Sequence, residues 1–189
     1  VAIPGPHYMI VSSRALALAG VTRDTPNPQG GEIYKDAKGE PTGLLMDNAS
    51  RAVRKFLPHP TEPQKEAGLK RILALANSHG LTSAGDPSGS AEDAALFRKL
   101  RDAGQLTVRV DFAYNIDPAD PLDKVEAQLK ALPGPGADGD GMFRSDQIGE
   151  TGLDGAELTA LLEEDYPGRP GYRGLQKVPT EQFGKFAAL

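Results

Sequence analysis

The sequence predicts an α/β fold in which parallel strands alternate with helices. Between residues 61 and 132, apolar residues recur first with helical spacing and then with strand spacing, in the order helix, strand, helix, strand, helix. Glycine, proline or a helix-capping residue marks each change of spacing. Because strands that alternate with helices of this length form right-handed crossover units, we expect a parallel sheet.

The first element of this stretch is a helix that begins at a capping box, Thr61-Glu-Pro-Gln64. The proline lies in the first turn, where its missing N–H costs nothing. The helix is expected to end at His79-Gly80, because glycine readily adopts the left-handed conformation that closes a helix. A short strand, residues 81–84, should follow and stop at Gly85-Asp86-Pro87. The apolar face of the helix is predicted to carry Leu69, Ile72, Leu73 and Ala76.

The same cycle then repeats. Ser90, with Asp93 three residues later, is expected to cap a second helix that Gly104 closes. From Leu106 to Tyr114, large apolar residues alternate with Thr107, Arg109, Asp111 and Ala113, which predicts a strand. A third helix begins at Asp120-Pro121. The apolar faces of the two helices are predicted to carry Leu96, Phe97 and Leu100, and Leu122, Val125, Leu129 and Leu132.

The segment before residue 61 has a different pattern. An apolar run, His7 to Val11, precedes a short helix, Arg14 to Ala19, for which Ser13 is the expected cap. Two short apolar runs flank Asp36-Ala-Lys-Gly39, so we expect a β-hairpin there. Residues Asn48 to Phe56 have the composition of a further helix, which ends before Pro58.

The segment after residue 132 begins with a turn-rich connector, Pro133 to Gly141. We expect a strand at Met142 to Gly149, a short helix at Ala156 to Glu164 and a final helix that begins at Thr180.

Composition and charge exclude several classes of function. The net charge is −5 and the pI is about 5.2, and only Arg51, Arg54 and Lys55 cluster, so we expect no nucleic-acid partner. No apolar run approaches the ~18 residues of a membrane span, so we expect no membrane partner. The chain has no cysteine and therefore no disulfide or thiolate ligand. No signal peptide is visible, and our expectation is a cytoplasmic protein.

Candidate catalytic residues follow the predicted strands, since parallel α/β folds place their chemistry at the carboxyl ends of strands. None of the three histidines has the spacing of a metal-binding motif. Each acid or amide alone also suits a helix cap or a loop, and both interpretations remain open. The candidates are Asp86 after the first strand, Asn115 and Asp117 after the second, and Glu150 and Asp154 after the third.

Several segments carry a family resemblance when taken in order along the chain. They are His7-Tyr-Met-Ile-Val-Ser-Ser-Arg-Ala-Leu16 with Gly20-Val21, Thr25-Pro-Asn-Pro-Gln-Gly-Gly-Glu-Ile33, Asp36-Ala-Lys-Gly-Glu-Pro-Thr-Gly-Leu44, His79-Gly-Leu-Thr-Ser83, and Asp154-Gly155 with Thr159-Ala-Leu-Leu162. This ordered set resembles amidohydrolase family 3, the N-substituted formamide deformylase-like branch of the metal-dependent amidohydrolases. The resemblance covers nearly the whole chain.

The resemblance implies a (β/α)8 TIM-barrel fold, with a divalent metal, zinc by expectation, that activates water to cleave C–N bonds of an amide. Most of the family's metal ligands are expected outside these 189 residues. The family's bridging lysine, four residues before Asp-Gly, corresponds to Glu150, whose carboxylate can bind a metal. By the same resemblance, His7 and Asp154 are the candidate catalytic residues.

We therefore expect an internal portion of such an enzyme, with a family-specific hairpin insertion at residues 1–48 and partial barrel units at 49–189. The chain alone should be inactive and bind no metal fully, and its open strand edges should self-associate or dock onto the rest of a barrel. The alternative is a non-catalytic α/β binding or scaffold module derived from the same fold. A third hypothesis is a stand-alone enzyme that uses Glu150, Asp154 and Asp86 with a metal.

Overall fold

The computed structural model describes residues 2–4, 7–134, 140–156 and 159–189. The chain forms two compact units. The first unit combines Val1–Pro58 with Gly152–Ala188, and the second is His59–Thr151. The predicted boundary after residue 48 therefore lies inside the first unit, and the segment after residue 151 returns to the N-terminal part of the chain.

Short strands dominate the N-terminal part of the chain, and helices alternate with strands in its middle. In chain order, the elements are β1 (Ala2–Pro4), β2 (Tyr8–Val11), α1 (Ser13–Leu18), β3 (Gly31–Lys35), β4 (Pro41–Asp47), a 3₁₀ turn (Asn48–Ser50), α2 (Arg51–Arg54), α3 (Glu62–Ser78), β5 (Ser83–Gly89), α4 (Ala91–Asp102), β6 (Arg109–Tyr114), α5 (Leu122–Ala131), β7 (Phe143–Ile148) and α6 (Thr180–Phe186). None of these helices has the length and apolar character needed to cross a bilayer.

The second unit contains a parallel sheet with the strand order β5-β6-β7. Helix α4 connects β5 to β6, and α5 connects β6 to β7. These are the predicted βαβ units, and the parallel sheet is confirmed. In this described sheet β5 and β7 are the outer strands.

Alternation along β6 places one face of the sheet against the helices. Val108, just before β6, and Val110, Phe112 and Tyr114 of β6 are buried there. The ring of Phe97 on α4 packs against Phe112 and Phe143, with centroids 5.8 and 5.5 Å away. The core of the second unit therefore lies between α3, α4 and this face of the sheet.

Local signals at the helix ends gave correct predictions in this unit. Thr61 and Gln64 form the capping box of α3, and Ser90 and Asp93 form that of α4. Gly80 and Gly104 follow these helices with φ of 74° and 67°, a conformation that glycine adopts without a steric penalty.

Two predictions in this unit were wrong in detail. Strand β5 does not stop at Gly85-Asp86-Pro87 but continues to Gly89. Since β5 is an outer strand of the described sheet, the missing N–H of proline there need not interrupt a ladder. Ile72 is 62% exposed rather than buried, because the face that packs on the core is centred on Leu73.

The first unit contains an antiparallel sheet with the order β1-β2-β4-β3. The predicted hairpin is formed by β3 and β4, and the backbone N–H of Asp36 donates to the carbonyl of Glu40 at 2.9 Å to close it. Helix α1 is present, but its cap is Ser12 rather than Ser13. The core of this unit includes Met9, Leu45 and Val53.

The predicted helix from Ala156 to Glu164 is absent from its described residues. Instead, the N–H of Leu162 donates to the carbonyl of Arg173, and the N–H of Tyr166 donates to that of Tyr172, both at 2.8 Å. These long-range bonds compete with helical ones, and they fold the segment back on itself. The final helix, α6, is confirmed. Of the predicted connector Pro133 to Gly141, residues 135–139 lie outside the described part of the chain.

Arg169 ties this folded-back segment to the sheet of the first unit. Its guanidinium donates to Glu32 Oε1 on β3 at 2.7 Å, and its Cζ lies 3.6 Å from the centre of the Tyr172 ring. A planar guanidinium can stack on a ring while its edge N–H groups donate to a carboxylate, a geometry that the compact ammonium of lysine does not reproduce.

Candidate functional site

A groove of about 310 Å³ lies near the carboxyl ends of the parallel strands in the second unit. Four polar side chains line it, together with backbone and apolar atoms. They are Asp86 of β5, Asp111 of β6, Gln147 of β7 and Glu150 just after β7. The fold therefore brings together the acids that follow the first and third predicted strands.

Glu150 is held by its backbone, because its N–H donates to the carbonyl of Pro87. Its side chain is exposed, so the carboxylate is accessible at the groove. Asn115 and Asp117, the other strand-end candidates, have local partners. The amide of Asn115 donates to Ser88 Oγ at 2.7 Å, and Asp117 Oδ1 accepts from the N–H of Ala119 at 2.9 Å.

Asp111 is neutralised within the groove. The guanidinium of Arg144 donates to both of its oxygens, at 3.1 and 3.0 Å, and Gln147 donates to Oδ1 at 3.0 Å. The hydrogen bond from Arg144 is the main reason that the pKa of Asp111 lies below its ordinary value. A carboxylate that is already paired in this way is a poor proton acceptor and a poor metal ligand.

The residues of this groove do not by themselves form a metal site. A protein-bound zinc ion takes three or four protein ligands. Within the part of the chain that the structure describes, no group of three or more histidine and acidic side chains is placed to hold an ion. Glu150 and Asp86 lie in the second unit, whereas Asp154 lies in the first.

The first unit holds a second polar cluster, centred on Asp47 at the end of β4. Its side chain is only 1% exposed. Oδ1 accepts from Lys177 Nζ at 2.7 Å and contacts His7 Nδ1 at 3.2 Å, and Oδ2 accepts from Thr159 Oγ1 at 2.7 Å. We call these four residues the Asp47 cluster.

Electrostatics keep Asp47 ionised. Burial alone would raise its pKa, but the hydrogen bonds from Lys177, Thr159 and His7 outweigh burial and hold the pKa below its ordinary value. The backbone of Asp47 has φ of 45° and ψ of −120°, a conformation that side-chain-bearing residues rarely adopt. Such a conformation costs about 1–3 kcal/mol and persists where surrounding contacts enforce it.

The predicted catalytic residues occupy different surroundings. His7 belongs to the Asp47 cluster, and its side chain is 30% exposed. Asp154 has a local role, because its Oδ2 accepts from the N–H of Leu161 at 2.9 Å and its backbone pairs with Gln176. The roles of His7, Asp154 and Glu150 in catalysis or metal binding stay predictions.

Sequence reasoning missed Asp47 and Lys177, and it used Thr159 only as part of a motif. One signal was present: Asp47 directly follows the apolar residues Leu44, Leu45 and Met46 of a strand. A carboxylate that continues a buried strand needs partners, because burial of an unpaired charge is costly. Its partners lie up to 130 residues away, however, and no local pattern identifies them.

Comparison with known proteins identifies the family. A model of the amidohydrolase family matches residues 2–189. A protein of Bacillus subtilis (strain 168) named as an amidohydrolase, YtcJ, is 31% identical over 189 residues, which cover 95% of this chain and 33% of that protein. The N-substituted formamide deformylase of Arthrobacter pascens is 32% identical over 104 residues, or 53% of this chain and 19% of that enzyme. The chain thus spans a third or less of the length of these relatives.

Two crystal structures share the fold. An uncharacterized metal-dependent hydrolase from Pyrococcus furiosus has a TM-score of 0.60 at 20% identity, and the match covers 96% of this chain and 36% of that one. A second one, from Pyrococcus horikoshii OT3, has a TM-score of 0.55 at 18% identity, with 96% and 34% covered. At this level of identity, the likeness concerns the fold alone.

Proposed function

Because this chain belongs to the amidohydrolase family, we propose that it is a portion of a metal-dependent hydrolase that cleaves C–N bonds of non-peptide amides. Its parallel strands β5, β6 and β7 would then be three strands of a (β/α)8 barrel. The parallel order of these strands supports this proposal, as does the similar fold of two metal-dependent hydrolases. The substrate class follows the named activity of the deformylase relative.

The observation that carries the proposal is the position of Glu150. It follows a parallel strand and lines the groove near the carboxyl ends of these strands, where barrel enzymes have their active sites. We assign Glu150 as one metal ligand, in the position where the family resemblance has a lysine. When bound, a divalent ion, zinc by expectation, lowers the pKa of water and polarises the amide carbonyl.

His7 and Asp154 are the candidate catalytic residues of this proposal. His7, partly exposed beside a buried carboxylate, contacts the substrate. Asp154 is the second candidate catalytic residue, and the hydrogen bond that its Oδ2 accepts from the N–H of Leu161 holds it at a defined position in its loop.

The isolated chain should show no turnover, since Glu150 alone does not make a metal site. The test incubates the purified chain with zinc or manganese and an N-formyl amine, and follows the free amine by mass spectrometry. After desalting, elemental analysis should find no stoichiometric metal. Hydrolysis by the chain that a chelator abolishes would overturn the expected inactivity.

The role of Glu150 is tested separately by calorimetric titration with zinc. Weak binding is expected, and Glu150→Gln should reduce it because an amide is a much poorer zinc ligand than a carboxylate. Asp117→Asn is the matched control, since that carboxylate caps its own loop and should not contribute to binding. Equal zinc binding by Glu150→Gln and the unmodified chain would remove Glu150 from the proposal.

A second candidate function is a non-catalytic α/β binding or scaffold module. It is favoured by the finding that the described residues hold no three-ligand metal group and that Arg144 neutralises Asp111 in the groove. A reading frame that ends near residue 189 would support the module, and one that continues with metal-ligand histidines would support the enzyme portion.

Both candidates predict association. The outer strands β5 and β7 of the described parallel sheet offer unpaired backbone groups, and Ile72, Leu75 and Leu81 are more than half exposed. Light scattering coupled to size exclusion should therefore find a mass that rises with concentration. A constant monomer mass would contradict this expectation.

A further inference from the structure

The ring of His7 has a defined orientation in the Asp47 cluster. Its Nδ1 lies 3.2 Å from Asp47 Oδ1. An ionised carboxylate only accepts hydrogen bonds, so Nδ1 must carry the hydrogen when the imidazole is neutral. The lone pair of the neutral ring is then on Nε2, which becomes a hydrogen-bond acceptor.

Further contacts hold the carboxylate of Asp47 in the position where it accepts the hydrogen bond from His7. Lys177 shares Oδ1, and Thr159 donates to Oδ2 at 2.7 Å. The backbone also joins the two residues, because the N–H of Asp47 donates to the carbonyl of His7 at 2.8 Å. The imidazole and the carboxylate are thus held together by both side-chain and main-chain bonds.

The exposure of the two side chains differs in a way that suits a positioning role. Asp47 is 1% exposed and has no access to an external ligand, whereas His7 is 30% exposed. A buried carboxylate that orients a partly exposed imidazole is the arrangement by which acid–histidine pairs fix the tautomer of a functional histidine.

We infer that Asp47 is a positioning residue, which fixes His7 as the Nδ1–H tautomer so that Nε2 accepts a hydrogen bond from a ligand N–H. The identity of that ligand as an amide N–H rests on the proposed function. The tautomer itself does not, and it can be measured without turnover. An Asp47 that only stabilises the fold through Lys177 would place no requirement on the tautomer of His7.

The experiment is long-range ¹H–¹⁵N correlation spectroscopy of the ¹⁵N-labelled chain, at a pH where the imidazoles are neutral. The chain has only three histidines, and the other two, His59 and His79, are exposed and serve as internal references. We expect a protonated Nδ1 and an unprotonated Nε2 for His7, and predominantly the opposite pattern for the references. A predominantly protonated Nε2 in His7 would overturn the inference.

Substitution of Asp47 tests whether its carboxylate determines the tautomer of His7. Asp47→Asn should raise the share of the Nε2–H tautomer of His7 toward that of the references, because an amide does not impose the same hydrogen position. Asp24→Asn, a change of an exposed aspartate in the same unit, is the control and should leave the tautomer unchanged. If Asp47→Asn does not fold, the spectrum of the unmodified chain still decides, because a predominantly protonated Nε2 in His7 contradicts the Nδ1–H form that Asp47 requires. An unchanged tautomer in folded Asp47→Asn would refute the role of Asp47.

Discussion

Replacement of Lys177 by methionine tests the stabilising role of the Asp47 cluster most directly. The ammonium lies 2.7 Å from Asp47 Oδ1, and the two side chains are 16% and 1% exposed. Removal of one partner from a buried ion pair costs roughly 3–5 kcal/mol, because the other charge stays buried. Thr159 and His7 still donate to the carboxylate, so we expect the lower end, about 3 kcal/mol.

Methionine is a suitable replacement because it keeps a long unbranched stem while it removes the charge. A loss of about 3 kcal/mol lowers the folding equilibrium constant by about two powers of ten. With an m-value of about 1.5 kcal/mol/M, the urea midpoint should fall by about 2 M. Tyrosine fluorescence suits this measurement, because four of the five tyrosines lie in the first unit.

The matched control is Lys185→Met in the same unit. Lys185 pairs with Glu181 at 2.8 Å, but these side chains are 57% and 83% exposed, so the loss of stability should be much smaller than that of Lys177→Met. A double-mutant cycle with Asp47→Asn should show a coupling energy above about 1 kcal/mol between residues 47 and 177. Equal losses for the two lysine variants, or a coupling near zero, would refute the argument.

Three further predictions concern core packing, the contacts of the Arg169 guanidinium and stability in acid. Gly89→Ala should lower the free energy of unfolding in urea by about 3 kcal/mol, because its methyl group would overlap the fully buried ring of Phe112. The control is Gly68→Ala in helix α3, whose methyl group meets no atom within 4 Å and should raise that free energy by about 0.5–1 kcal/mol. Equal effects of the two substitutions would contradict this packing. Arg169→Lys should lower the thermal midpoint by several degrees, while Arg173→Lys at an exposed pair should not; similar shifts would contradict the specific role of the guanidinium. Because the folded-state pKa of Asp47 is lowered, its contribution to stability is present above the unfolded value of about 3.9 and is lost as pH falls through the lower folded value. Urea unfolding of Asp47→Asn should therefore show a smaller fall in stability below about pH 4 than the unmodified chain, and an equal fall would contradict the lowered pKa.

Elements with signals inside their own sequence were predictable. The capping boxes at Thr61 and Ser90 and the alternation before Tyr114 depend on neighbouring residues, so α3, α4 and the end of β6 were located correctly, although β6 begins at Arg109 rather than Leu106. The segment from Ala156 was not predictable in this way, since its hydrogen bonds reach Arg173 and Tyr172. The helical spacing was present, but tertiary contacts overrode it.

Some features of the candidate site were likewise predictable from the sequence, and others were not. The order of strands predicted that Asp86 and Glu150 approach the same edge of the sheet, because the carboxyl ends of parallel strands meet there. The pairing of Asp111 with Arg144 depends on the register between β6 and β7, which no sequence pattern specified. The Asp47 cluster depends on segments that meet only in the folded first unit.

The return of residues 152–188 to the N-terminal unit constrains the order of events on the ribosome. Asp47 is synthesised long before Lys177, which is the 130th residue after it and appears roughly 6.5–26 seconds later at 5–20 residues per second. The second unit is complete in sequence during that interval and can fold first. The N-terminal part of the first unit can therefore form the ion pair between Asp47 and Lys177 only after that interval.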